Sequence, residues 1–212
     1  MTFDETSVVR DRGGRFDRKL TEPELTLDAP APARTPGDVF ADALDGRQME
    51  IVEPRGLTQT RRALRNARGE EDGSIRSVVI SRASVPASTD AGAIEVVGPK
   101  DGRPLIVEVQ SGFHDLGVTS GHVIILASSV SGHPITVKGG AHVELIARPG
   151  VKVSVTAEPG STVDFHGGEG VRGYQRVEPG ATFNVFGNSS HLTISRVEEQ
   201  TIARDAETRS YA

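Results

Sequence analysis

The sequence predicts a mainly β protein. The expected body is a β-solenoid or jelly-roll-like domain with a ten-residue strand–turn period, preceded by an extended arm and one or two short helices. Three observations carry this. First, residues 131–190 divide into tens: SGHPITVKGG, AHVELIARPG, VKVSVTAEPG, STVDFHGGEG, VRGYQRVEPG and ATFNVFGNSS. Val143, Val153, Val163 and Phe183 share one place in the block, and Leu145, Val155, Phe165 and Val185 share another, two residues on. A fixed period marks stacked, repeated supersecondary units. Second, five of the blocks end in a turn pair: Gly139-Gly140, Pro149-Gly150, Pro159-Gly160, Glu169-Gly170 and Pro179-Gly180. Pro followed by Gly sets the central residues of a type II turn, whereas tight hairpins favour the primed types. The turns therefore lean toward corners of a coil over strand reversals. Third, aromatic residues make up 4% of the chain and tryptophan is absent. The core must be built from Val, Ile, Leu and Ala, which suits narrow stacked sheets.

The whole chain sets further bounds. Its 212 residues fit one domain, or a domain with an extension. With no cysteine there are no disulfides and no thiolate metal sites. A net charge of −5 gives no broad positive field, so nucleic acid is not an expected partner. No apolar run approaches the roughly 18–20 residues that span a bilayer, so no membrane partner is expected. The opening MTFDETSVV is polar and acidic, unlike a signal peptide, and the reading is a protein not secreted by that route.

In chain order, residues 1–37 read as an extended arm or linker. They mix charge with Pro, Ala and Gly and offer little to bury. Within the arm, VVRDRGGRFDRK places one aromatic, Phe16, among arginines. As a docking peptide it would use Phe16 as an anchor, with Arg12, Arg15 and Arg18 pairing to acidic groups. Residues 38–74 read as a short helical segment. Thr35 or Asp38 can cap a first helix carrying Val39, Phe40, Ala43 and Leu44, which Gly46 stops. In a second, LTQTRRALRNAR, Leu57 and Leu64 share a face. Arg61, Arg65 and Arg68 line another face, read as solvated because Glu70, Glu71 and Asp72 follow at once.

Residues 75–200 read as the β-rich domain. SIRSVVISRA alternates and is β-branched. AIEVV and LIVEV flank GPKDGRP, whose Pro99 and Asp101-Gly102 suggest a hairpin. QSGFHDLGVTSG reads as an irregular link before GHVIILASSV opens the periodic region. Block 171–180 breaks the pattern, because Gly173 and Gln175 stand at apolar places. It is expected either to slip by one residue, turning Tyr174 and Val177 inward, or to form a loop. From TISRVEEQ onward the chain turns polar, and with residues 201–212 it reads as a cap or helical tail.

Two resemblances can be stated on these residues. AHVELIA, VKVSVTA and STVDFHG resemble the short-period A-x-V-x-A β-solenoid repeats of actinobacterial and actinobacteriophage proteins of unknown function. VRDRGGRFDRK, residues 9–19, resembles the RDxxGRF arm near the start of many proteins of the same phages and mobile elements. Together they imply a phage or prophage setting and bring no catalytic residues. RVEPGATFNVFG resembles the Pro-Gly-punctuated strands of cupins. A metal cupin needs a His-x-His pair, and His114, His122, His133, His142, His166 and His191 never fall two apart. What remains of that resemblance is a metal-free, cupin-like barrel.

Candidate chemistry is sparse. His122 and His142 hold the same block place and can stack in one column; Asp164 and His166 alternate onto one strand face. Both read as surface features more than as metal or acid–base sites. GGEGVRG lacks the lysine and the helix of a phosphate loop. No catalytic residue, metal or cofactor is assigned. The expected function is a non-enzymatic structural or binding protein, such as a head-decoration or tail-associated component of a virion. It would assemble through the arm onto a protein partner or copies of itself, in the virion or the cytoplasm of an actinobacterial host. The alternatives are a cupin-like small-molecule-binding or enzymatic barrel, or a phage factor that binds a host protein.

Overall fold

A computed structural model describes residues 35–67, 75–81, 84, 92–110, 115–128, 133–187 and 191–197. The arm residues Arg12, Arg15, Phe16 and Arg18, together with Arg68, Glu70, Glu71, Asp72, His114 and the tail 198–212, lie outside them.

Helix α1 spans Pro36–Leu44. Thr35 caps it: the Asp38 N–H donates to Thr35 Oγ1 at 3.2 Å and the Thr35 N–H donates to Asp38 Oδ2 at 2.7 Å. This reciprocal pair satisfies helix-end donors that would otherwise lack partners. Asp45 and Gly46 close the helix with positive φ. Strand β1 follows at Met49–Val52 and helix α2 at Leu57–Asn66.

The remaining strands are β2 (Ile75–Ile80), β3 (Ile94–Val97), β4 (Leu105–Val109), β5 (Leu116–Ala127), β6 (His133–Val137), β7 (Ala141–Ala147), β8 (Val153–Ala157), β9 (Thr162–Gly167), β10 (Gly173–Val177), β11 (Thr182–Gly187) and β12 (Leu192–Arg196). Every pairing between them is parallel. A front sheet runs β1, β2, β4, the second half of β5, β7, β9 and β11. A back sheet runs β3, the first half of β5, β6, β8, β10 and β12. Strand β5 changes sheet at Gly121, where φ is 75°. The chain thus alternates between front and back as a two-sided β-solenoid of about five turns. Each block of ten is one side of a coil, and His142 meets Thr162 while His133 meets Val153, one full coil later. Parallel pairing excludes the jelly roll and the cupin-like barrel as the fold.

The turn pairs are corners. Glu158 O accepts from Ser161 N, and Glu178 O from Ala181 N, each closing a four-residue turn around Pro-Gly. Gly140, Gly160 and Gly180 stack in one corner column with φ of 81°, 77° and 79°, which a residue with a Cβ adopts at a cost. Their backbones join coil to coil, Gly140 N donating to Gly160 O and Gly160 N to Gly180 O, both at 2.9 Å.

The core lies between the sheets. Val123, Ile125, Val143, Leu145, Val163 and Phe165 enter from the front, and Val118, Ile135, Val153 and Val155 from the back. Burying each such side chain contributes about 1.5–3 kcal/mol. Leu64 of α2 and Ala67, which caps its end, join this core, so α2 covers the side chains of the first coil. Thr60 Oγ1 donates to Ser84 O, and Ser84 Oγ donates to Pro54 O, tying α2 to its flanking loops. At the opposite end the inward-facing Ile194 of the last described strand is 42% exposed. Helix α1 instead packs outside the front sheet, setting Val39 and Ala43 over Ile75, Ile106, Ile124 and Ile146.

Four sequence expectations change. The GPKDGRP stretch makes a corner and no hairpin, because β3 and β4 lie in opposite sheets. Half of the supposed link QSGFHDLGVTSG is strand, since β5 begins at Leu116. TISR, taken as part of a cap, belongs to β12. Block 171–180 neither slips nor loops: β10 keeps register, with Gln175 opposite Val155, so Gln175 points into the core and Tyr174 outward. Half of the Gln175 amide is satisfied inside, its Nε2 donating to Val153 O at 3.1 Å, while among the described residues its buried Oε1 has no hydrogen-bond partner.

Candidate functional site

The outer side of the front sheet carries the chemistry. In a parallel ladder, residues one coil apart stand about 4.8 Å apart, and a residue two places on is reached diagonally. His122 and His142 are one coil apart and stack with ring centroids 4.7 Å apart and planes 8° from parallel. Their shared block place predicts this column. Each imidazole then reaches diagonally to the next coil. His122 Nε2 lies 2.9 Å from Glu144 Oε1, and His142 Nε2 lies 2.9 Å from Asp164 Oδ2. Both pairs are 22 residues apart, one coil plus two places. Asn184 Nδ2, one coil beyond Asp164, donates to its other oxygen at 2.8 Å. The hydrogen bond from His142, then that from Asn184, holds the Asp164 carboxyl below the usual carboxylate range, against the opposing effect of burial.

Asp164 and His166 do share a face, as their alternation predicts. However, Asp164's imidazole partner is His142, and His166 stacks on Phe186 with centroids 4.8 Å apart. Glu144 is the residue sequence reasoning passed over. It is 3% exposed although it sits on the outer side of a sheet. A buried carboxylate needs hydrogen-bonding partners, and His122 supplies one. The repeat does signal it, since Glu144 and Asp164 hold the same block place.

Beside Glu144 lies a cavity of about 420 Å³, bounded by α1, the corner 101–104 and the His122–His142 column. Asp42 on α1 and Asp45, the residue that caps its end, line it. Asp101 accepts from the Arg103 backbone N–H at 3.1 Å and from its guanidinium. These bonds, the backbone one foremost, keep its carboxyl below the ordinary range. Arg47 lies 3.8 Å from Asp45. Among the described residues, no group of three or more His, Asp or Glu has the arrangement of a metal site. The imidazole–carboxylate pairs can hold and relay a proton, and the cavity can admit a small group.

The other candidates are dispersed. Arg61 and Arg65 flank a separate hollow with Glu95. GGEGVRG forms a solenoid corner, with φ of 70° at Gly170. His191 is exposed. Comparison with protein-family models, with curated proteins and with solved structures finds no match to this chain.

Proposed function

We propose that this is a non-enzymatic structural or binding protein that assembles through its N-terminal arm, and that it serves as a virion component, of the head-decoration or tail-associated kind, in an actinobacterial host. One observation carries the assembly reading. Where the arm ends, the chain enters a capped helix, α1, whose Val39 and Ala43 are buried on the front sheet. A load on the arm is thereby transmitted to a body of parallel coils hydrogen-bonded edge to edge. The phage setting rests on the RDRGGRF and short-repeat resemblances. Light scattering on the full chain and on a variant lacking residues 1–34, which keeps the Thr35 cap, tests the proposal. The expected outcome is a defined oligomer that falls to monomer without the arm. Equal masses for the two would sink it.

A second reading is favoured by the 420 Å³ cavity with its imidazole–carboxylate wall: a body that binds a small molecule there. Thermal shifts of the full chain against a panel of small organic cations and acids would support it by a saturable, His142-dependent stabilisation.

A further inference from the structure

We infer that residues 198–212 close the C-terminal end of the solenoid, docking there as the counterpart of helix α2. The two ends of the coil stack differ. At the first coil the inward-facing Val78, Ile80, Ile94 and Val96 are all buried, and Leu64 and Ala67 at α2 pack onto the same core. At the last coil the inward columns run out into solvent. Phe183 and Val185 continue the core column of Val163 and Phe165, and Ile194 lies one coil beyond the buried Gln175. Val185 and Leu192 are only half-buried, and Ile194 is 42% exposed. Among the described strands, β11 pairs only with β9 and β12 only with β10, so each leaves one backbone edge without a strand partner. An apolar end with open edges invites another strand to add, and stacked coils need a terminal unit with a polar outer face.

The chain carries a matching segment beside this end. From Val197, at the rim, it runs on into EEQTIARDAETRSYA. In that stretch IARDA, residues 202–206, repeats the plan of ALRNA, residues 63–67 at the end of α2. In ALRNA, Ala63 packs on the core and Leu64 and Ala67 are buried in it, at places i, i+1 and i+4. IARDA puts Ile202, Ala203 and Ala206 at the same three places, with Arg204 and Asp205 where Arg65 and Asn66 stand. One large aliphatic side chain and two alanines thus serve at the first coil, and the tail offers the same set. Helix chemistry agrees. Glu198 and Glu199 come first and Arg209 late, which suits the helix dipole, and Asp205 and Arg209 stand four apart. The reach fits too. Three strand residues from Ile194 to Val197 and seven helical ones from Glu199 to Ala206 each cover about 10 Å. A helix folding back over the end therefore sets Ala206 above Ile194. Tethered at the rim, the tail reaches this end ahead of a second copy, because a short tether gives a high effective concentration.

The chain has no cysteine, so an introduced pair meets no competing thiol. In the full chain, Ile194→Cys with Ala206→Cys is expected to form a disulfide within one chain about tenfold faster than Thr193→Cys with Ala206→Cys. Thr193 is the control because it lies opposite Tyr174 and faces outward. Ile194 and Thr193 are both exposed, so neither change disturbs the fold. Equal rates for the two pairs overturn the inference, because an undocked tail reaches both positions alike. A disulfide that joins two chains on a denaturing gel also overturns it and gives the end to a second copy. A second measurement needs no cysteine. Ile202→Asp in the full chain should speed amide exchange in β11 and β12 about tenfold, the effect of uncovering one end of the core, and leave β2 and β4 as in the parent. Parent-like exchange in β11 and β12 overturns the inference. Residues 1–34 enter neither readout, so the arm-mediated assembly proposed above can fail while the closed end stands, and the reverse.

Discussion

Two stretches of this molecule build the same kind of coil from differently spaced sequence. From Gly121 to Gly187 each front strand pairs with the residue twenty places on, as Gly121 does with Ala141 and His142 with Thr162. From Ile75 to Ser120 the spacing wanders. Ser77 pairs with Ile106, Leu105 with Val123 and Ile94 with Leu116, and β3 carries a bulge at Val96/Val97. The core is built of apolar side chains in both, with Gln175 as a polar exception in the regular stretch, so the hydrophobic effect does not need equal coils. Equal coils add identical neighbours. Diagonals one coil plus two places on form in both, as His122–Glu144 and His142–Asp164 do in the regular stretch and Thr119–Glu95 and Ser128–Glu108 do where spacing wanders, whereas the stacked column of like rings, His122–His142, stands where block length is constant. Parallel register alone is enough for a diagonal contact, and regular spacing adds the repetition of like side chains in one column.

The largest effect that would sharpen this contrast is expected at Phe165. It is fully buried and stacks on Phe183 of the next coil, with ring centroids 6.2 Å apart. Phe165→Ala should cost about 3–5 kcal/mol in denaturant unfolding. Because coils interact with nearest neighbours, hydrogen exchange should rise first in β9 and β11 and least in β2 and β4. A uniform loss of protection across both stretches would break the comparison.

Next come two glycines. At Gly173 φ is 155°, and a Cβ would stand 1.6 Å from Val153 O, the neighbouring backbone. At Gly117, in the irregular stretch, a Cβ meets nothing within 4 Å. Gly173→Ala should destabilise by about 1–3 kcal/mol or more, and Gly117→Ala by less than about 0.5 kcal/mol. Similar melting temperatures for the two variants would show that coil spacing is not the constraint supposed here.

The smallest effect is electrostatic. His142 and Asn184 hold the Asp164 carboxyl below its unfolded value. The pair therefore stabilises the fold above the unfolded carboxyl's range, and this contribution is lost as pH falls through the folded value. Asp164→Asn should flatten the acid limb of the stability–pH curve and cost under about 1 kcal/mol at neutral pH, as expected for a partly exposed pair. An acid limb as steep as the parent's would remove Asp164 from the account.

The sequence was most legible where these equal blocks lie. The Pro-Gly punctuation pointed to corners, and the shared places of His122 and His142 pointed to their stack. The first helix was readable from Thr35, Asp38 and Gly46, because capping chemistry is local. Legibility failed where a local signal has two tertiary uses. Asp101-Gly102 turns a chain equally well into a hairpin or around a corner; only the partners of β3 and β4 distinguish them. Gln175 looked like a break in pattern because hydropathy cannot see that Val153 O waits one coil away.

By itself the sequence determined the strand length, turn positions and inward-facing side chains of blocks 141–170, and the capped helix, since each follows from backbone preferences and side-chain alternation within about ten residues. Tertiary structure alone decided that two blocks make one coil and that α1 lies on the front sheet over Ile106 and Ile124. It also decided that Glu144, outward by alternation, is buried beside a cavity. These depend on which surfaces meet across coils. Pairing twenty residues apart and packing a helix on a sheet's outer side satisfy the same local rules in several arrangements, and the total of buried area and matched hydrogen bonds selects one.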